Sequence, residues 1–181
     1  MAGLAPRRRA RLRALVLMAF TFAAPQAVRM EDGVGGLTTS ITVDINSFDP
    51  VDPQHAYDDL IDEAAATYHL DPAMIRAVMQ TESRFNAAAV SPGGAMGLMQ
   101  LMPEVAAELG AADPMDPRQN VMAGARYLRQ LLDAHRGNLT LALASYNAGP
   151  GTVRRYGKVP PFTETRKYVK TITGLLSDEH N

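Results

Sequence analysis

Residues 75–86 read IRAVMQTESRFN, and one position in them breaks the pattern that the others set. Ile75, Val78, Met79 and Glu82 are spaced three and four apart, so on a helix their side chains leave the same face. Three of them are apolar and turn that face toward a core; the other is a carboxylate. Asp71-Pro72 supplies an N-cap and a first-turn proline, so a helix runs from there to about residue 83. Glu82 then sits in the last turn, where the negative end of the helix dipole and partial desolvation both disfavour the ionised form. A raised pKa is expected unless Arg84 folds back onto the carboxyl. A carboxylic acid protonated near neutrality suits general-acid cleavage of an acetal C–O bond. On spacing alone, a glutamate that merely caps or salt-bridges at a helix end remains the plainer reading.

Outward from this helix the chain keeps a helical period. AYDDLIDEAAATYHL puts Tyr57, Leu60, Ile61, Ala64 and Tyr68 on one face. Asp116-Pro117 repeats the capping device before RQNVMAGARYLRQLLDAHRG, which turns Val121, Ala125, Leu128 and Leu132 inward and stops at Gly137. NLTLALASYNAGP is another helix, ended by Gly149-Pro150, and a last one over roughly 164–177 follows Thr163 as cap and buries Tyr168, Ile172 and Leu175. No convincing strand is found. The expected fold is mainly α, broken by Gly-rich turns.

Three further stretches carry candidate chemistry. SPGGAMGLMQLMP (91–103) crowds glycines and methionines into a turn before a helix. Glycine lets backbone approach a ligand closely, and methionine makes a pliable apolar wall. Gln100 adds an amide able to donate to and accept from sugar hydroxyl and acetamido groups; a buried loop with a polar tip fits equally well. In ASYNAGPG (144–151), Tyr146 shares a face with Leu139 and Leu143, which is first of all a core position. Asn147 just precedes the Gly149 stop, a commonplace site for an amide. In PPFTETRKYVKTI (160–172), Glu164 lies four residues before Tyr168 on one helix face.

The 181-residue chain has no cysteine, hence no disulfide framework, thiolate metal site, cysteine nucleophile or lipid-modified cysteine anchor. Histidine stands at 55, 69, 135 and 180 without a metal-ligand spacing, so neither metal nor other cofactor is expected. MAGLAPRRRARLR is basic and acid-free, ALVLMAFTFAA is a short apolar run, and small residues follow, with cleavage expected after Ala23 or Ala27. Residues 1–27 therefore read as an export signal, too short for a comfortable membrane span, and place the mature protein in the periplasm or outside the cell. They hold five Arg and no acid, so their removal leaves 13 basic against 19 acidic side chains. Residues 28–55, rich in Gly, Pro, Thr and Asp, read as a flexible acidic linker, in which LTTSITVDI alternates weakly like a strand. The folded unit is expected over 56–177. No basic stripe argues for nucleic acid.

Taken together, ES at 82–83, GLMQ at 97–100, YNAG at 146–149 and ETRKYV at 164–169 resemble the soluble lytic transglycosylase domain, a lysozyme-like family that cleaves peptidoglycan. DPRQNVMAGARYL (116–128) is similar to that family's scaffold helix, and the resemblance covers roughly residues 56–176. Gly93 departs from it, standing where a lysine or other polar residue is more usual. The resemblance implies that Glu82 is the single catalytic acid/base and that Ser83 helps orient the scissile sugar. It implies that Gly97, Leu98, Met99 and Gln100 line the substrate cleft. Tyr146 and Asn147 would stand near the reacting sugar, and Glu164 with Tyr168 would close the same groove. It further implies that the bond between N-acetylmuramic acid and N-acetylglucosamine in peptidoglycan glycan strands is cleaved without water, leaving a 1,6-anhydro end. Ordinary glycosidases use two carboxylates, and none accompanies Glu82 in these turns. A goose-type lysozyme hydrolase and a non-catalytic wall-binding or assembly module are the alternatives, with a chitin-directed enzyme behind them. Small members of the family often serve envelope-spanning machines, so such an assembly is an expected partner, with bulk wall turnover equally compatible.

Overall fold

The computed structural model describes residues 52–178, which lie in one compact unit. The expected export signal, nearly all of the linker and the weak strand at 37–45 fall outside the described residues. Among those described, the chain forms α1 (Asp58–Tyr68), α2 (Pro72–Glu82), α3 (Pro103–Glu108), α4 (Pro117–Ala134), α5 (Leu139–Ala148), α6 (Pro150–Tyr156) and α7 (Thr163–Asp178). The only extended pairing among the described residues is a pair of isolated bridges, Val90 with Met96 and Met96 with Leu101.

Local chemistry starts the helices where the sequence marks them. Asp71 accepts from the Ala73 N–H at 2.9 Å and Asp116 from the Gln119 N–H at 2.8 Å, each followed by proline at the first helical position. Asn138 caps α5 in the same way, accepting from the Leu141 N–H at 3.1 Å. Gly149-Pro150 does more than stop α5. Gly149 takes a φ of 84° that closes α5, and Pro150 opens α6, a helix not foreseen in the sequence. Thr163 belongs to the first turn of α7 rather than preceding it.

The turn at 53–57, which the sequence assigns largely to the linker, is fastened to the domain. Arg76 donates to the Gln54 carbonyl and pairs with Asp58, both at 2.7 Å. His55 sits 2.8 Å from the other Asp58 oxygen, and these two partners, His55 first, hold the Asp58 carboxyl below its usual range.

The core explains why α5 is apolar all round. It packs against α4, α6 and α7, so Ala142, Leu143, Ala144 and Ser145 are buried in succession. Ile61, Ala64, Ile75, Val78, Met79, Val121, Ala125, Leu128, Leu132 and Ile172 close around it, as their spacing predicts; Leu175 is only half-buried. A smaller cluster of Leu101, Ala106, Leu109, Ala111 and Ala123 holds α3 against α4. Packing of α7 on both α2 and α5 brings the C-terminal end of α2 beside the start of α7.

Candidate active site

Glu82 ends α2 half-buried, and its Oε1 accepts a hydrogen bond from the Tyr168 hydroxyl of α7 at 2.8 Å. Its pKa is pushed up to about 7. Desolvation is the main cause, the Tyr168 hydrogen bond opposes it, and the nearby Glu164 carboxylate adds to it. Arg84 is exposed and makes no ion pair with Glu82, so it does not offset the upward shift that burial produces. Arg84 and Phe85 both adopt left-handed backbone, at φ of 52° and 62°, which turns the chain sharply just after the carboxyl. Tyr168 is buried, and its phenol is raised well above its ordinary value by burial first and by Glu82 next. Tyr146 shows the same order of causes, so both phenols remain proton donors at any working pH.

The loop 97–101 is held to these helices by its backbone. Ser83 Oγ donates to the Leu98 carbonyl at 2.7 Å, and the Tyr146 hydroxyl donates to the Met99 carbonyl at 2.9 Å. Leu98 and Met99 themselves point inward with no exposure, so their side chains belong to the core and not to a wall around a ligand. Met99 fits there because Gly124 on α4 has no Cβ, which would come within 2.4 Å of the Met99 sulfur. Gln100 spends its amide hydrogens on backbone carbonyls, donating to Ala89 in the preceding turn at 3.1 Å and to Gly97 at 2.9 Å; its Oε1 remains as acceptor. Gly97 is buried at a φ of 75°, and a Cβ there would lie 2.5 Å from both Asn120 Nδ2 and the Pro114 carbonyl.

Asn120 is the organiser that the sequence reading passed over. Fully buried on α4, it accepts from the Met99 N–H at 2.7 Å and donates to the Met96 and Pro114 carbonyls at 2.9 and 2.8 Å. The signal for it resembles the one that exposed Glu82: a polar side chain four residues before Gly124 and eight before Leu128, on the inward stripe of a helix. Thr165, 2% exposed, is the second addition; its hydroxyl donates to Asn147 Oδ1 at 2.7 Å. Glu82, Glu164, Tyr146 and Tyr168 thus share one electrostatic neighbourhood. Ser83 and the 97–100 loop support it from one side, and Asn147 stands at the junction of α5 and α7.

Mostly helical, with a half-buried acid closing one helix and phenols from two others around it, the domain has the lysozyme-like fold. Residues 59–169 match the transglycosylase SLT domain, and the chain belongs to that family. It is similar to the transglycosylase of Enterobacteria phage PRD1, 47% identical over 89 residues, which covers 49% of this chain and 33% of the phage protein. The soluble lytic murein transglycosylase of Escherichia coli strain K12 is 33% identical over 140 residues, covering 65% of this chain and 22% of that enzyme. Among solved structures, an inactive glutamate-to-glutamine mutant of the lytic transglycosylase Slt from Pseudomonas aeruginosa superposes with a TM-score of 0.62. It is 34% identical, over 67% of this chain and 23% of that one. The chain therefore spans a third or less of the length of these relatives.

Proposed function

We propose that the protein is a peptidoglycan lytic transglycosylase in which Glu82 acts alone as acid and then base. The observation that carries this reading is the Glu82 carboxyl, raised to about 7 by burial and held by Tyr168. A group balanced between its two forms near neutrality can give up a proton and take one back within a single turnover.

In the first step the Glu82 proton passes to the glycosidic oxygen between N-acetylmuramic acid and N-acetylglucosamine, and the bond from that oxygen to C1 breaks. The sugar's own acetamido oxygen stabilises the positive charge left at C1, as in substrate-assisted glycosidases. Glu82, now a carboxylate accepting from Tyr168, takes the proton of the 6-hydroxyl. O6 then bonds to C1 and closes the 1,6-anhydro ring. No water is consumed, and Glu82 ends as it began. Tyr146 holds the Met99 carbonyl, Ser83 holds Leu98, and Gln100 offers its remaining acceptor to the sugar. Burial keeps the Glu82 carboxyl protonated, Glu164 adds to this by like-charge repulsion, and Glu164 does not enter the reaction. The family relatives named as murein transglycosylases support this reading, as does a solved relative inactivated by a glutamate-to-glutamine change.

Export through residues 1–27 would bring the enzyme to the wall. Among the described residues no helix is long and apolar enough to cross a membrane. Local action at an envelope-spanning assembly belongs to the same proposal. Depletion should leave total wall turnover nearly intact and impair assembly; a large fall in turnover with normal assembly would sink it.

Mass spectrometry of peptidoglycan digested by the protein and by Glu82→Gln tests the reaction. Muropeptides lighter by one water than reducing-end products, missing with the variant, are expected. Reducing-end products would mean a hydrolase, and none from either protein would point to a binding module.

A further inference from the structure

We propose that Thr165 is a positioning residue whose buried hydroxyl anchors the Asn147 amide by its oxygen, so that Asn147 offers its NH2 group to the sugar. The inference rests on the transglycosylase reading of the site. A carboxamide has an acceptor end and a donor end, so anchoring the one leaves the other for a ligand. Here the Thr165 Oγ1 donates to Asn147 Oδ1 at 2.7 Å. With the oxygen engaged, Asn147 Nδ2 has no partner among the described residues, and Asn147 is half-buried rather than sealed in the core.

Three threonines deeper in their helices spend their hydroxyls locally. Thr67, Thr81 and Thr173 each donate to the carbonyl four residues back on their own helix, at 2.8, 2.8 and 2.9 Å. Thr165, in the first turn of α7, has no carbonyl of its own helix four residues back, and its hydroxyl reaches across to α5. It is also three residues from Tyr168, so the two are neighbours on one helix face. Tyr168 holds Glu82 at 2.8 Å, and Thr165 holds Asn147 at 2.7 Å. One turn of α7 therefore sets both the carboxyl and the amide. A free NH2 at that place can donate to a carbonyl or hydroxyl oxygen, and a 2-acetamido sugar displays both.

The test is a double-mutant cycle read as kcat/KM for anhydro-product formation, with Tm measured for every variant. Thr165→Val keeps the shape and removes the donor, and should cost about tenfold, the worth of one hydrogen bond. Thr165→Ser should recover most of that rate. In an Asn147→Ala background, Thr165→Val should add no further loss. Asn147→Asp keeps the acceptor for Thr165 and removes the NH2, and should fall as far as Asn147→Ala. Thr165→Val at full rate, or the same loss in both backgrounds, would overturn the proposal. So would Asn147→Asp at full rate, an outcome that does not depend on Thr165→Val folding. A wild-type protein that yields no anhydro product would remove the reading of the site itself, which the ratios among variants do not address.

Discussion

At the scale of the residue, Glu82 is set by opposing effects, and the Tyr168 hydrogen bond can be removed alone. Burial raises the carboxyl and the Tyr168 hydroxyl lowers it, with the balance at about 7. Tyr168→Phe deletes only the stabilisation of the carboxylate, so the pKa should climb further. In the proposed reaction catalysis begins with protonated Glu82 and falls as pH rises through its pKa, so the alkaline limb of kcat/KM should move to higher pH in this variant. An unmoved limb would show that the phenol does not govern the acid. The same shift has a consequence for stability. Because the folded pKa lies above the unfolded value of 4.5, the unfolded state sheds this proton first, and stability is lost between about pH 4.5 and 7. Glu82→Gln should therefore be more stable than wild type at pH 8, on the order of 2–3 kcal/mol by denaturant unfolding, and lose that advantage near pH 4. Glu82 was legible because a charge on an apolar stripe is conspicuous. Asn120 bears a similar mark, but Asp116-Pro117 just before it draws attention to helix capping instead. Thr165 could not be read, since a threonine in a first helical turn is ordinary.

At the scale of the element, the 97–101 loop is fixed more by α4 than by its own sequence. Its glycines and methionines suggest a surface shaped to a ligand, yet Leu98 and Met99 are wholly buried. The reason lies on α4, where Gly124 leaves room for the Met99 side chain and Asn120 bonds to the loop backbone; neither is visible from the loop's residues. Gly97→Ala should be severe, because the new methyl meets Asn120 and Pro114 at 2.5 Å in a backbone already at a φ of 75°. A loss of roughly 3 kcal/mol is expected by denaturant unfolding, with weaker activity in the fraction that folds. A loss under about 1 kcal/mol would mean that the loop does not press on α4 as described. The helix α6 eluded the sequence for a different reason. Gly149-Pro150 ends one helix and begins another, and the 7 residues that follow are too few to show a period.

At the scale of the whole molecule, the main core gathers α1, α2, α4, α5, α6 and α7, while α3 rests on a separate small cluster against α4. The two should not open together. Native-state hydrogen exchange should find the amides of α3 released by local opening and those of α5 only on global unfolding. Equal protection would mean a single cooperative unit. This division places the part expected to open first next to the loop that carries Gln100, and the main core under Glu82, Tyr146 and Tyr168. Apolar periodicity disclosed most of the main core, because its helices are long enough to repeat.

The most direct measurement is the titration of the Glu82 carboxyl itself, followed by carbon NMR on glutamate labelled at its side-chain carboxyl, with Glu82→Gln giving the assignment. A midpoint near 7 is predicted. A midpoint near 4.5, the ordinary glutamate value, would contradict the account, since the acid would then be ionised before it could protonate the glycosidic oxygen.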